Sequence, residues 1–206
     1  FCWGRRDTAE YKSYFKGHEN LFVNTGSPRT DILTAKFSSL NEPMNNQDHK
    51  PYILVVSNYG LIMGDKHWTK ILKTSQGLDL LGTHEKWASF IDEFEKNATI
   101  GASFILAIAD MAREWPDHEI VVRPHPVDER EYWENLFSEF QNIRIVGNHD
   151  SITPWIQSAE IVIQNGCTTA FEAVIQKVPV ISYGPDRNDS ISNTLGLRAR
   201  TLDELN

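Results

Sequence analysis

The chain has 206 residues, 40% of them apolar, enough to bury one sizeable core with part of a second. Its six tryptophans and ten phenylalanines exclude a disordered chain, and a net charge of -8 argues against a general nucleic-acid-binding surface, while leaving room for a local basic pocket. Two cysteines, Cys2 and Cys167, without metal-ligand or disulfide spacing suit a reducing cytoplasm, and neither a signal peptide nor an apolar run approaching ~18 residues is present.

The chain opens at Phe1 without Met and closes on a helix start at Thr201-Leu202-Asp203, which reads as a piece of a longer protein. Asp7 to Phe15 has the pattern of an amphipathic helix, and Leu21-Phe22-Val23 that of a short strand before the turn-rich segment 24–31. Residues 1–33 are expected to be a remnant of an inter-domain segment with a first strand. The polar stretch 34–50 is expected to be a linker or loop. Tyr52 to Val56 is a continuous apolar, β-branched run, as in a strand buried on both faces. It runs into Ser57-Asn58-Tyr59-Gly60, a polar turn at the end where a parallel sheet places ligand contacts.

Residues 61–83, broken by Gly64, Gly77 and Gly82, read as a long loop with a helical piece. Two helices follow, one from Thr83 with Trp87, Phe90, Ile91 and Phe94 at core spacing, the next from Ala98 to Trp115 and closed by Pro116. Then come a strand at 119–122, a helix from Asp128 to Phe140, a strand at 143–146 and a short helix from Ser151 to Ser158. The strand Ile161-Val162-Ile163 leads through a one-glycine turn into a helix carrying Glu172. A strand at 178–183 and a last one at 195–199 complete the pattern. Short apolar strands alternating with helices predict an α/β, Rossmann-like domain over 51–206, with a mainly parallel sheet and helices on both faces.

Three polar clusters sit just after predicted strands: Arg123 with His125, Asn148 to Ser151, and Asn165 to Thr169. In an open parallel sheet these strand ends share one edge, where ligands bind. The turn Asn165-Gly166-Cys167-Thr168-Thr169 offers backbone N–H groups, two hydroxyls and a glycine that permits close approach of an anion. Glu172, one turn further in, is placed to accept from ribose hydroxyls, so phosphate plus sugar suggests a nucleotide. An ordinary strand-to-helix turn with a Thr N-cap is the plainer alternative.

Pro124 and Pro126 stiffen the segment that presents His125, a residue able to hydrogen-bond or protonate a phosphate, or simply to satisfy nearby carbonyls. Arg123 either offers a planar fork to phosphate or pairs at the surface with Asp128 or Glu129. His149 precedes a helix for which Asp150 or Ser151 is the natural N-cap. Cys167 has no evident partner base and reads as a small pocket-lining residue. No metal-ligand spacing, Gly-x-Ser-x-Gly elbow, Walker loop or Gly-x-Gly-x-x-Gly follows a strand, which counts against metal, hydrolase, ATPase and NAD readings.

The succession Arg-Pro-His-Pro (123–126), Asn-Gly-Cys-Thr-Thr-Ala-Phe-Glu-Ala (165–173) and Lys-Val-Pro-Val-Ile-Ser (177–182) resembles the C-terminal half of two-domain (GT-B) glycosyltransferases. Within that group it is similar to bacterial surface-polysaccharide proteins of the capsule Kdo-transferase kind, and bacterial sialyltransferases share a comparable His-Pro plus Ser/Thr arrangement. Phe1-Cys2-Trp3-Gly4 and Thr25 to Asp31 resemble the segment joining the two halves, so the likeness runs from the first residues to about Pro185.

The resemblance implies a CMP-activated donor such as CMP-Kdo, with no metal or other cofactor. By position, His125 would contact the donor phosphate and aid its departure, and Thr168 and Thr169 would hold it. Glu172 would lie near the ribose, and Asn148, His149, Asp150 and Ser151 would line the nucleoside side. The catalytic base and the polysaccharide or glycolipid acceptor would belong to an N-terminal domain outside this chain, so the fragment alone is expected to be inactive. The implied location is cytoplasmic, with peripheral association at the inner membrane through other parts of the protein. A CDP-glycerol or polyol-phosphate transferase, a UDP-sugar epimerase-like domain and a non-catalytic nucleotide-sugar-binding module are the alternatives.

Overall fold

Among the described residues six parallel strands, β1 (Tyr52–Val56), β2 (Glu119–Arg123), β3 (Ile143–Ile145), β4 (Ala159–Gln164), β5 (Val180–Tyr183) and β6 (Leu197–Ala199), form a single sheet in the order β3-β2-β1-β4-β5-β6. A computed structural model describes residues 1–34, 51–59, 82–126, 128–147, 149–185 and 190–205. The expected linker over 34–50 (beyond residue 34), the loop expected at 61–83 (up to residue 81) and the candidate Asn148 lie outside them. The chain divides into two units, Phe1–Glu42 and Pro43–Asn206.

The first unit holds α1 (Arg5–Tyr14) and α2 (Pro28–Ile32), the latter opening on Pro28, whose missing N–H costs nothing in a first turn. The expected strand at 21–23 is not formed. Glu19–Leu21 is a 3-10 turn, and the chain makes only an isolated parallel bridge between Cys2 and Asn24 nearby. Phe22 packs instead between the rings of Tyr11 and Phe15, at 5.8 and 5.5 Å, while Leu21 and Val23 stay exposed. Apolar side chains favoured a strand, but one bridge supplies no ladder to extend.

In the second unit, β1 (Tyr52–Val56) is buried at every residue because it lies mid-sheet with helices on both faces. Ile53 and Val55 face a core built with Ile100, Phe104, Ile108 and Met111 of α3 (His84–Glu114) and Trp133 of α4 (Arg130–Leu136). Tyr52, Leu54 and Val56 face a second core with Trp155 and Ile156 of α5 (Thr153–Gln157) and Ala170 and Ala173 of α6 (Thr169–Ile175). This period-2 division is why the strand reads as unbroken apolar sequence. Fully burying a large aliphatic side chain contributes about 1.5–3 kcal/mol, so these two layers dominate the stability. A short helix, α7 (Leu202–Leu205), follows β6.

Two expectations are corrected. The two helices predicted before β2 are one 31-residue helix, α3, capped by the Thr83 hydroxyl accepting from the Lys86 N–H at 3.3 Å. Asn97, a residue that often ends helices, donates back to the Glu93 carbonyl at 2.7 Å and so is satisfied within the helix. The helix expected over 128–140 spans only 130–136, because Asp128 is drawn away from it into the contacts described below. No described helix is long and apolar enough to cross a membrane.

Candidate functional site

Register fixes where the polar loops leave the sheet. Val56 of β1 pairs with Arg123 of β2, and Val55 with Ile163 of β4. The loops beginning at Ser57, Pro124 and Asn165 therefore depart from one edge. Strand order reverses at β1 and β4, so this edge is the topological switch point, where open α/β sheets bind ligands. The ends of β2 and β4 flank β1 and lie two strand spacings apart, about 9–10 Å.

The triplet Pro124-His125-Pro126 has one backbone donor, the His125 N–H, because proline has none. That donor reaches the Ser57 hydroxyl oxygen at 3.0 Å and Asp128 Oδ2 at 3.2 Å. The same Asp128 oxygen accepts from the Ser57 hydroxyl, in a short hydrogen bond, and from Trp133 Nε1 at 3.3 Å. Burial pushes the Asp128 carboxyl above its ordinary range, against the pull of Ser57, the His125 amide and ring, and Trp133. Asp128 Oδ1 is buried without a hydrogen-bond partner among the described residues. Tyr59, also buried, is held well above the ordinary phenol range by burial first, then by the nearby Cys167 and Asp128. The Ser57 hydrogen bonds tie the loop after β1 to the loop after β2.

Arg123, at the end of β2, is buried. Its Nη1 donates to Asp150 Oδ1 at 3.0 Å and its Nη2 to the Asp150 carbonyl, so the fork is committed within the protein. Neither expectation for Arg123 matches this arrangement: the residue is not a surface arginine paired with Asp128 or Glu129, and its fork is turned to Asp150 rather than offered to a phosphate. Asp150 also accepts from Trp155 Nε1 at 3.4 Å. Burial acts upward on its carboxyl, but the Arg123 hydrogen bond and charge outweigh it and hold Asp150 below the usual carboxylate range. Neither Asp150 nor Ser151 occupies the N-cap of α5. Ile152 does, and Ser151 Oγ accepts from the Thr153 N–H at 3.3 Å from just outside.

The turn between β4 and α6 is braced from outside the helix. Gly166, at φ +68°, adopts the left-handed conformation that glycine tolerates without strain. Its N–H donates to Asn193 Oδ1 at 2.8 Å, and the Cys167 N–H to Gln164 Oε1 at 2.9 Å. Gln164 Nε2 donates to Ser182 Oγ at 2.6 Å and to Asn193 Oδ1 at 3.3 Å. Asn165 Nδ2 donates to the Tyr183 carbonyl at 2.7 Å, and the Cys167 thiol to Thr169 Oγ1 at 3.1 Å. Thr168 sits at the N-cap but makes no side-chain capping bond, contrary to the plainer reading of this turn.

The predicted site residues thus fall into groups. Ser57 and His125 are in direct contact, as are Arg123 and Asp150, and Cys167 and Thr169. Asn58, His149, Ser151 and Thr168 are exposed, Gly166 and Cys167 half-buried, and Asn165, Thr169 and Glu172 buried. Among the described residues no group of three His, Cys, Asp or Glu side chains gathers as metal ligands. Asp128, Gln164 and Asn193 were not foreseen as part of the site. Gln164 carried a signal, being a polar residue ending an otherwise apolar buried strand. Asn193 carried none, because it arrives from beyond β5.

A doubly wound parallel sheet in this strand order, with polar loops gathered at its switch point, defines a Rossmann-type domain of GT-B-like fold. The chain is similar to UDP-GlcNAc 2-epimerase of Methanocaldococcus jannaschii in complex with UDP-GlcNAc and UDP, at 16% identity and TM-score 0.55, covering 95% of this chain and 48% of that one. A second structure of the M. jannaschii enzyme matches at 14% identity and TM-score 0.53, covering 100% and 52%. KpsC of Thermosulfurimonas dismutans, a β-Kdo 2,4 transferase, matches at 16% identity and TM-score 0.34, covering 80% and 46%, which adds no weight. The chain spans about half the length of each of these proteins. At such identities the likeness establishes the fold. No protein-family model and no curated protein sequence matches the chain.

Proposed function

We propose that residues 51–206 form the donor-binding half of a GT-B glycosyltransferase of bacterial surface polysaccharide biosynthesis, taking a CMP-activated ulosonic acid such as Kdo. The observation that carries this reading is the departure of three polar loops, after β1, β2 and β4, from one sheet edge at the switch point. In this reading His125 contacts the donor phosphate and assists its departure as general acid, Thr168 and Thr169 hold that phosphate, and Glu172 lies near the ribose. Arg123 acts through Asp150, fixing the segment 149–151 on the nucleoside side. The acceptor and the catalytic base belong to an N-terminal half outside these residues, and no metal or other cofactor takes part.

One observation favours a second reading. Two structures with which the chain shares its fold, at TM-scores of 0.55 and 0.53, are of a UDP-GlcNAc 2-epimerase, one of them holding UDP-GlcNAc and UDP. Calorimetric titration with CMP, CDP, UDP and a non-nucleotide control separates the readings. Preference for CMP is expected. Preference for UDP favours the epimerase-like domain, CDP a polyol-phosphate transferase, and absence of binding by folded protein a non-catalytic module. His125→Ala is expected to weaken CMP binding at least about tenfold, the equivalent of one charge-assisted hydrogen bond, with an unchanged Tm.

A further inference from the structure

We infer that Ser57 and Asp128 are positioning residues, a clamp that joins the ends of β1 and β2 and fixes the backbone from which His125 is presented. The inference deepens the donor-site reading and rests on it for the role of His125. Its geometry comes from the fold alone. Two prolines leave the His125 N–H as the one backbone donor of the loop triplet, and its acceptors are Ser57, from the loop after β1, and Asp128, from the end of its own loop. Ser57 Oγ lies at 3.0 Å, one residue beyond β1, and Asp128 Oδ2 at 3.2 Å, three residues on. Asp128 Oδ2 gathers three donors from three elements: the Ser57 hydroxyl, the His125 amide and Trp133 Nε1 of α4.

All three supports are buried, Ser57 at 2%, Asp128 at 6% and Trp133 at 0% exposure. An aspartate just before a helix ordinarily caps it. This one does not: the N-cap of α4 is Glu129, without a side-chain capping bond, and the Asp128 carboxyl points to the His125 loop. A buried carboxylate that merely filled space would be matched or bettered by an apolar side chain. What it holds gives this carboxylate a role that an apolar side chain could not fill. Ser57 serves as both donor to Asp128 and acceptor from His125, so a hydroxyl is needed there and an alanine breaks the chain of bonds.

The test uses the full chain and the variants Ser57→Ala, Ser57→Thr and Asp128→Asn, each alone and with His125→Ala. Two quantities are read: CMP affinity, and hydrogen exchange of the His125 amide by NMR in the single variants. Ser57→Ala is expected to weaken CMP binding about five- to tenfold and speed His125 amide exchange by a similar factor, as loss of one buried hydrogen bond would. Ser57→Thr, which keeps the hydroxyl, restores both. In the His125→Ala background Ser57→Ala costs no further affinity. Equal weakening with and without His125, or unchanged amide exchange in Ser57→Ala and Asp128→Asn, overturns the inference. If Asp128→Asn fails to fold, the two Ser57 variants decide. If the wild-type chain binds none of CMP, CDP and UDP, the donor-site reading fails, and amide exchange alone then upholds or removes the clamp.

Discussion

Tyr59 carries a hydroxyl into the protein interior without a hydrogen-bond partner among the described residues. Removing that group relieves an unsatisfied buried donor, so Tyr59→Phe is expected to raise stability by on the order of 1 kcal/mol, measured by urea unfolding. Burial pushes Tyr52 up to about 12, and Tyr59 and Tyr183 also upward. Unfolded phenols ionise near pH 10, whereas the folded protein keeps their protons. The stabilising contribution of Tyr52 is complete below about pH 10 and is lost as pH rises toward about 12, and those of Tyr59 and Tyr183 are likewise complete below about pH 10 and lost at higher pH. The Tm should fall across that window, less steeply for Tyr59→Phe, and parallel curves would contradict the burial of this phenol. Lys177 occupies the left-handed position after α6 at φ +63°, in a Schellman turn closed by Val178 N–H to the Ala173 carbonyl at 2.9 Å. Lys177→Gly should therefore stabilise by roughly 0.5–1 kcal/mol, and a lowered urea midpoint would contradict it. At this scale the sequence disclosed residue types but not partnerships. His125 between prolines was visible, whereas the pairing of Arg123 with Asp150, 27 positions away, was not.

The turn between β4 and α6 shows how an element depends on groups far from it in sequence. Gln164 joins Cys167 of its own turn to Ser182 on β5. Gln164→Leu keeps the volume but deprives the Cys167 N–H of its acceptor and the buried Ser182 Oγ of the donor on Gln164, and should cost roughly 2–4 kcal/mol in urea unfolding. A cost under 1 kcal/mol would mean that water replaces the side chain there. Strands were legible because burial on both faces leaves continuous apolar runs such as Tyr52 to Val56. Helix limits were less so. Asn97 hid the continuity of α3 by resembling a terminus, and Asp128 overstated α4 because capping residues and loop clamps share the same side chain. Leu21-Phe22-Val23 failed as a strand for want of a ladder, which no local pattern reports.

Across the whole molecule, the alternation of strands and helices anticipated a parallel, doubly wound sheet, and the order β3-β2-β1-β4-β5-β6 agrees with it. The placement of polar residues just after strands also indicated the edge where a ligand would sit, because carboxyl ends of parallel strands coincide by construction. What the sequence did not show is the internal scaffolding of that edge, in which Asp128, Gln164 and Asn193 fasten loops to one another across the sheet. The proposed donor site predicts that a nucleotide meets all of these loops at once. An NMR chemical-shift map of the chain titrated with CMP tests this most directly. Shifts should concentrate on amides of 57–59, His125, 149–151 and 165–169 together, whereas shifts confined to one of these segments, or placed at the opposite edge near Tyr52 and Glu119, would contradict it.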